Sequence, residues 1–171
     1  MDEQAMILLV GEQPAPNLLP VRHYKPEQAL LVYSDLTTRT AENLREVLAP
    51  VRCLMCKVPA YEVGQIRKAL TAVLADQGWR GANVVFNLTG GTKLMMLAAY
   101  TVAQEMDSRW LYLTSERGVN EVRWFAFKGG TLKHGPREPI PATLSLDDYL
   151  RLHVGKYKRH RLRYAFEKAV A

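Results

Sequence analysis

Short apolar runs alternate with amphipathic stretches along most of the chain. The runs "AMILLV" (5–10), "ALLVYS" (29–34), "VRCLMCKV" (51–58), "NVVFNL" (83–88) and "RWLYLT" (109–114) are too brief for buried helices. They predict strands covered on both faces. The stretches between them have helical spacing. "PNLLPVRHY" follows a Gly/Pro-rich loop. "DLTTRTAENLREVLAP" offers Thr hydroxyls as caps, places Leu44, Val47 and Leu48 on one face, and stops at a proline. "AYEVGQIRKALTAVLADQG" sets Val63, Ile66, Leu70, Val73 and Leu74 on one stripe and ends on Gly78. "TKLMMLAAYTVAQEM" is apolar nearly all round and predicts a deeply packed helix beginning near Thr92. "EVRWFAF" and "GTLKH", joined through "KGG", predict antiparallel strands at an edge. "REPIPAT" reads as an extended linker, and Ser145 can cap a last helix, "LDDYLRLH", with Asp147 and Asp148 in its first turn.

Strands alternating with helices call for a mostly parallel sheet with helices on both faces and right-handed crossovers. The expected fold is α/β, a Rossmann-like three-layer sandwich with an antiparallel edge and a short C-terminal helical segment. The expected division is a ligand-binding domain over 1–142 and a basic helical connector over 143–171.

A chain of 171 residues, 48% hydrophobic and 23% charged, has enough apolar material for one domain with a real core. No apolar run reaches the roughly 18 residues of a membrane span. The acidic start "MDEQAMILLVGEQ" is unlike a signal peptide, so a cytoplasmic location is expected. The net charge of +6 is confined to the end of the chain, where Arg151, Lys156, Lys158, Arg159, Arg161, Arg163 and Lys168 face Glu167 alone. Such a tail suits a solvated helix or linker, nucleic acid, a membrane surface, or an acidic partner. Cys53 and Cys56 lie three apart in a strand and so point to opposite faces. With no second cysteine pair and no paired histidines, they predict two separately packed thiols rather than a metal site or a disulfide. No metal and no cofactor is expected.

Ligands of open α/β sheets bind beyond the carboxyl ends of the strands. Those ends predict four loops, 11–17, 34–38, 87–93 and 114–120, rich in hydroxyls, amides and glycine, and hence a polar mouth. The third, "NLTGGTK", has the most chemistry. Gly90 and Gly91 permit positive φ and close approach of a ligand. The helix that follows offers unpaired N–H groups and a positive dipole end. Thr89 and Thr92 add hydroxyls and Lys93 a full charge, a set suited to an anion. The order of residues departs from both the Walker A loop and Gly-x-Gly-x-x-Gly. A glycine turn that serves only strand-to-helix packing is the alternative.

"FNLTGGTKLMMLAAY" resembles the signature of CRISPR-associated Rossmann-fold (CARF) sensor domains, in the branch whose effectors carry nuclease or deaminase domains behind the sensor. "PNLLPVRHYKP", "LLVYSDLTT" and "LSLDDYLRLH" resemble the same branch, so the likeness runs from about Met6 to Leu152. The resemblance implies a homodimer that binds a cyclic oligoadenylate messenger, usually cyclic tetra-adenylate, across its two-fold axis, in type III CRISPR defence. A two-fold dimer presents one patch twice, so each copy would offer its Gly-Gly-Thr-Lys turn to half the ring. Gln13, Asn17, Ser34, Asp35 and Thr37 are then candidates for adenine edges and ribose hydroxyls, and Arg117 for a phosphate. Some relatives also cleave the ring without metal through attack by a ribose 2′-OH, in which case Lys93 and the turn amides would stabilise charge. The scattered histidines (His23, His134, His153, His160) form no triad in sequence, and no ribonuclease or restriction-type metal-nuclease motif is present. The tail then reads as the start of a connector to an effector domain, or as the output of a small stand-alone protein. A nucleic-acid-binding regulator working through the basic tail is a further alternative, since some members of the family are transcription factors, but the sequence has no recognisable winged helix, and no direct duplex nucleic-acid contact is expected.

Overall fold

The computed structural model describes residues 5–142 and 144–155; the basic residues from Lys156 onward lie outside the described residues. The elements in chain order are β1 (Ala5–Leu9), α1 (Ala15–Tyr24), β2 (Gln28–Tyr33), a 3-10 turn (Asp35–Thr37) running into α2 (Thr38–Val47), β3 (Arg52–Lys57), α3 (Val63–Asp76), β4 (Val84–Asn87), α4 (Lys93–Glu105), β5 (Arg109–Glu116), β6 (Val119–Lys128), β7 (Thr131–Ile140) and α5 (Leu146–Val154). The sheet has the order β3-β2-β1-β4-β5-β6-β7. Its first four pairings are parallel and the last two antiparallel.

The side-chain alternation of β1 builds both cores. Ala5, Ile7 and Leu9 face α3 and α4, where Ile66, Leu70, Ala98 and Val102 pack with Phe86. Met6, Leu8 and Val10 face α1 and α2, where Leu18 and Leu44 pack with Leu31, Val85 and Leu152 of α5. Each β1 side chain is lost from solvent, which explains why the strand reads as an unbroken apolar run. Cys53 joins the α1/α2 side and Cys56 the α3/α4 side, and both thiols are free.

Three expectations change. The linker "REPIPAT" does not begin at Arg137, because β7 continues to Ile140. β7 is the last strand of the sheet and carries a bulge at Pro136, and edges and bulges are where a sheet tolerates prolines such as Pro136 and Pro139. Gly135 stands in a bulge of β7, where Gly135 and Pro136 oppose Trp124 alone between the pairs Arg123–Arg137 and Phe125–His134; a Cβ on Gly135 would meet the Trp124 backbone oxygen and Cβ, each at 3.0 Å. The expected loop 114–120 is a tight hairpin instead, with Arg117 and Gly118 at φ 51° and 80° between β5 and β6, the backbone of a two-residue turn that twists with its strands. Helix α4 is not buried all round, for Met96 and Leu97 are exposed. Residues 146–154 form the expected last helix, α5, which packs against α1 and α2. Arg22 of α1 grips Asp148 with two hydrogen bonds of 2.7 and 2.6 Å, and Asn43 and Arg39 of α2 donate to the carbonyls of Leu152 and Val154. Those carbonyls belong to the last turn of α5, which its own helix leaves unpaired.

Candidate ligand-binding site

The chain builds β1, β2 and β3 outward to one side, then returns to lay β4 and β5 on the other. The order of strands reverses between the paired neighbours β1 and β4, so the chain leaves their carboxyl ends toward opposite faces of the sheet, to α1 on one and α4 on the other, and a crevice forms there. The glycine turn follows β4, and the loop "GEQP" follows β1. They touch: a Cβ on Gly90 would stand 2.2 Å from the Leu9 carbonyl oxygen, and one on Gly11 3.0 Å from the Gly91 nitrogen. Gly90 is therefore required for contact with β1, and Gly91 for its φ of 75°.

A buried amide network holds the turn. Asn87, at the end of β4, accepts from the Thr89 N–H (3.1 Å) and hydroxyl (2.7 Å) through Oδ1. Its Nδ2 donates to the Pro16 carbonyl (2.9 Å) and to Asn17 Oδ1 (3.3 Å). Asn17 in turn donates to the Leu9 carbonyl (2.9 Å), and the Leu113 N–H donates to Thr89 Oγ1 (2.8 Å). One network thus ties β5, β4, α1 and β1 under the turn. On its far side Thr92 caps α4, accepting from the Met95 N–H (3.1 Å) while donating to the Ala60 carbonyl (2.7 Å). These bonds fix the backbone before any ligand arrives, the condition for binding without a large ordering cost.

Above the turn lies an open cleft of about 370 Å³, lined by Gln13, Ser34, Thr37, Thr89, Gly90, Gly91 and Thr92 among others. Seven of the expected site residues therefore meet in one place. Ser34 and Thr37 cap the 3-10 turn at the end of β2, the Ser34 N–H donating to Thr37 Oγ1 (3.1 Å). Thr89 and Thr92 line the cleft with hydroxyls already engaged, so their first role is to shape the turn. Asn17 is fully buried beneath the cleft with its amide committed to the network. Asp35 points outward and pairs with Lys57 at 2.5 Å, a contact that raises the lysine pKa. Arg117 lies on the hairpin tip and Lys93 is an exposed residue at the first position of α4; neither lines the cleft.

The cleft also holds residues that the sequence reading did not single out: Glu12, Leu36 and Tyr61, with Val10, Pro16 and Met95 as apolar wall. The mouth is thus half apolar rather than polar. Tyr61 comes from the loop after β3. Its neighbours continue smoothly into α3 in the sequence pattern, which concealed a fifth loop at this end of the sheet.

Three solved structures share the fold. One is Can2 from Sulfobacillus thermosulfidooxidans, solved in complex with cyclic tetra-adenylate (TM-score 0.72, 22% identity, covering 88% of this chain and 41% of that one). Another is protein VC1899 from Vibrio cholerae (TM-score 0.71, 17% identity, 86% and 38%). The third is a type III CRISPR defence DNA nuclease activated by cyclic oligoadenylate (TM-score 0.66, 19% identity, 89% and 23%). The chain thus spans less than half the length of each. No curated protein sequence matches it. Residues 5–149, most of the chain, match the family model of the Card1 CARF domain, and the protein belongs to that family.

Proposed function

We propose that this domain is the cyclic oligoadenylate sensor of a type III CRISPR ancillary effector, that its ligand is cyclic tetra-adenylate, and that one ring lies between two copies of the chain. The observation that carries the reading is the glycine turn at the switch point. It is held rigid by the Asn87 network and opens the start of α4 toward a cleft. Backbone N–H groups at a helix start, with the dipole behind them, favour a phosphate. A relative of the same fold has been solved with cyclic tetra-adenylate. A cleft of about 370 Å³ is at the small end of ligand sites, which span about 300–1,000 Å³; a four-nucleotide ring needs the cleft twice. The exposed Met96 and Leu97 on α4 supply apolar surface beside the turn for such pairing. Thermal unfolding with rings of three, four and six adenylates tests the reading, since a ligand that binds only the folded state raises the melting temperature. The ring of four is expected to give the largest rise; no rise with any ring would refute the sensor reading.

Glu12 favours a second reading, slow cleavage of the ring. Glu12 is a lining residue of the cleft, and a carboxylate there can take the proton of a ribose 2′-OH. The 2′-oxygen then bonds to the adjacent phosphorus, the 5′-oxygen leaves with a proton from water, and a 2′,3′-cyclic phosphate remains. Chromatography of the ring after incubation with the parent and with Glu12→Gln decides it; equal products from both would remove Glu12 from the chemistry.

A further inference from the structure

We propose that Tyr61 and Leu36 are the base-recognising half of this cleft, with the Tyr61 ring as a platform for an adenine of the ligand; the inference rests on the ring-binding reading above. Tyr61 is 63% exposed and Leu36 76% exposed. Single apolar side chains at a surface are ordinary. These two are different because they flank one cleft, on the loops after β3 and β2, facing the glycine turn. The cleft thereby has two chemistries. Its polar side, Gly90 to Thr92 with the start of α4, suits a phosphate. Its apolar side, Leu36, Tyr61 and Met95, suits a flat ring that has a π-face and little charge.

The two sides are fixed to one another by Thr92. The same Oγ1 that caps α4 donates at 2.7 Å to the carbonyl of Ala60, the residue before Tyr61. The loop that carries the tyrosine is therefore held to the turn that would hold the phosphate. A nucleotide, with a base on one side of its ribose and a phosphate on the other, matches this pairing. Among bases a purine presents the larger face, so the platform favours adenine over uracil. Thr92 acts here as a positioning residue, since its hydroxyl is spent on the protein.

The test titrates the parent, Tyr61→Phe and Tyr61→Ala with cyclic tetra-adenylate and with cyclic tetra-uridylate, which keeps the ring and its phosphates but changes the base. Loss of a stacking partner weakens binding by about tenfold to a hundredfold per base. Tyr61→Phe is expected to stay within about threefold of the parent on both rings, because it keeps the π-face. Tyr61→Ala is expected to lose about tenfold or more on the adenylate ring and much less on the uridylate ring, so that the preference between them narrows. Exposure of Tyr61 means that all three should melt together, which unfolding without ligand checks. Equal losses on both rings, no loss on either, or a parent without preference would overturn base recognition. So would light scattering in which Tyr61→Ala dissociates a dimer while affinity per site is unchanged. A parent that binds neither ring would instead refute the sensor reading itself.

Discussion

Gly90→Ala places one methyl group where the fold has least room. The new Cβ would stand 2.2 Å from the Leu9 carbonyl oxygen and 3.3 Å from Asn17 Nδ2, against about 3.4 Å for ordinary contact, so the turn and β1 must separate by about 1 Å. The carbonyl cannot swing aside, because it belongs to a central strand and accepts the Asn17 amide at 2.9 Å. Overpacking of this kind costs about 1–3 kcal/mol. Weakening a buried amide bond adds about 1 kcal/mol or more. A total near 3 kcal/mol corresponds, for a chain of this size, to a fall of about 6–12 °C in melting temperature. Gly64→Ala is the matched control. Gly64 lies in α3 with nothing within 4 Å of its would-be Cβ, so that variant should melt at or slightly above the parent temperature, by the higher helix propensity of alanine. Calorimetric or circular-dichroism melts of both variants are sufficient. If Gly90→Ala melts within about 2 °C of the parent, the close packing of the turn on β1 does not hold it in place.

Lys93 stands outside the cleft of one copy, but a ring that extends beyond that cleft between two copies brings a phosphate to the start of α4; Lys93→Ala is therefore expected to weaken ring binding by about 1.5–3 kcal/mol per site, the scale of a hydrogen bond to a charged group, while its ligand-free melting temperature stays level or rises. A cation at the start of α4 opposes the helix dipole; a variant that unfolds, or that binds as the parent does in calorimetry, would refute this. Asp148→Asn is expected to cost about 2 kcal/mol at neutral pH in denaturant titrations, since it leaves Arg22 facing a neutral group. The Arg22 guanidinium holds the Asp148 carboxyl well below the usual carboxylate range. That stability is therefore complete above the unfolded pKa of about 3.9 and is lost as pH falls below it toward the folded value. The gap between parent and variant should accordingly close in strong acid, and a gap that widens there would contradict the pairing. Burial pushes the Cys53 thiol up to about 11 and the Cys56 thiol up as well. Native protein at pH 8 should then react with a thiol reagent at least about a hundredfold more slowly than unfolded protein; fast labelling of the folded form would refute the buried-thiol account.

The central sheet was legible because its strands are covered on both faces and so write themselves as continuous apolar runs. The antiparallel edge was less so. Gly135, Pro136 and Pro139 are loop residues by every local rule, and they lie in β7 because an edge strand that carries its own bulge accepts what a central strand cannot. The glycine turn stood out by composition. Its partners did not, since Asn17 and Asn87 look like exposed loop amides and become buried only when β1, β4 and α1 meet. Tyr61 was hidden for a related reason. Proximity of the β3 loop to the start of α4 is a product of the sheet order and the Thr92 bond, which no local pattern encodes. The burial of α5 is likewise tertiary, carried by Arg22, Arg39 and Asn43 from distant helices.

The central claim is that two copies of this chain share one cyclic tetra-adenylate. Isothermal titration of the protein with rings of three, four and six adenylates reads ligand, affinity and stoichiometry together. The account predicts saturable heat for the ring of four at one ring per two chains, with weaker or no binding of the other two. No heat with any ring, or one ring bound per chain, would contradict it.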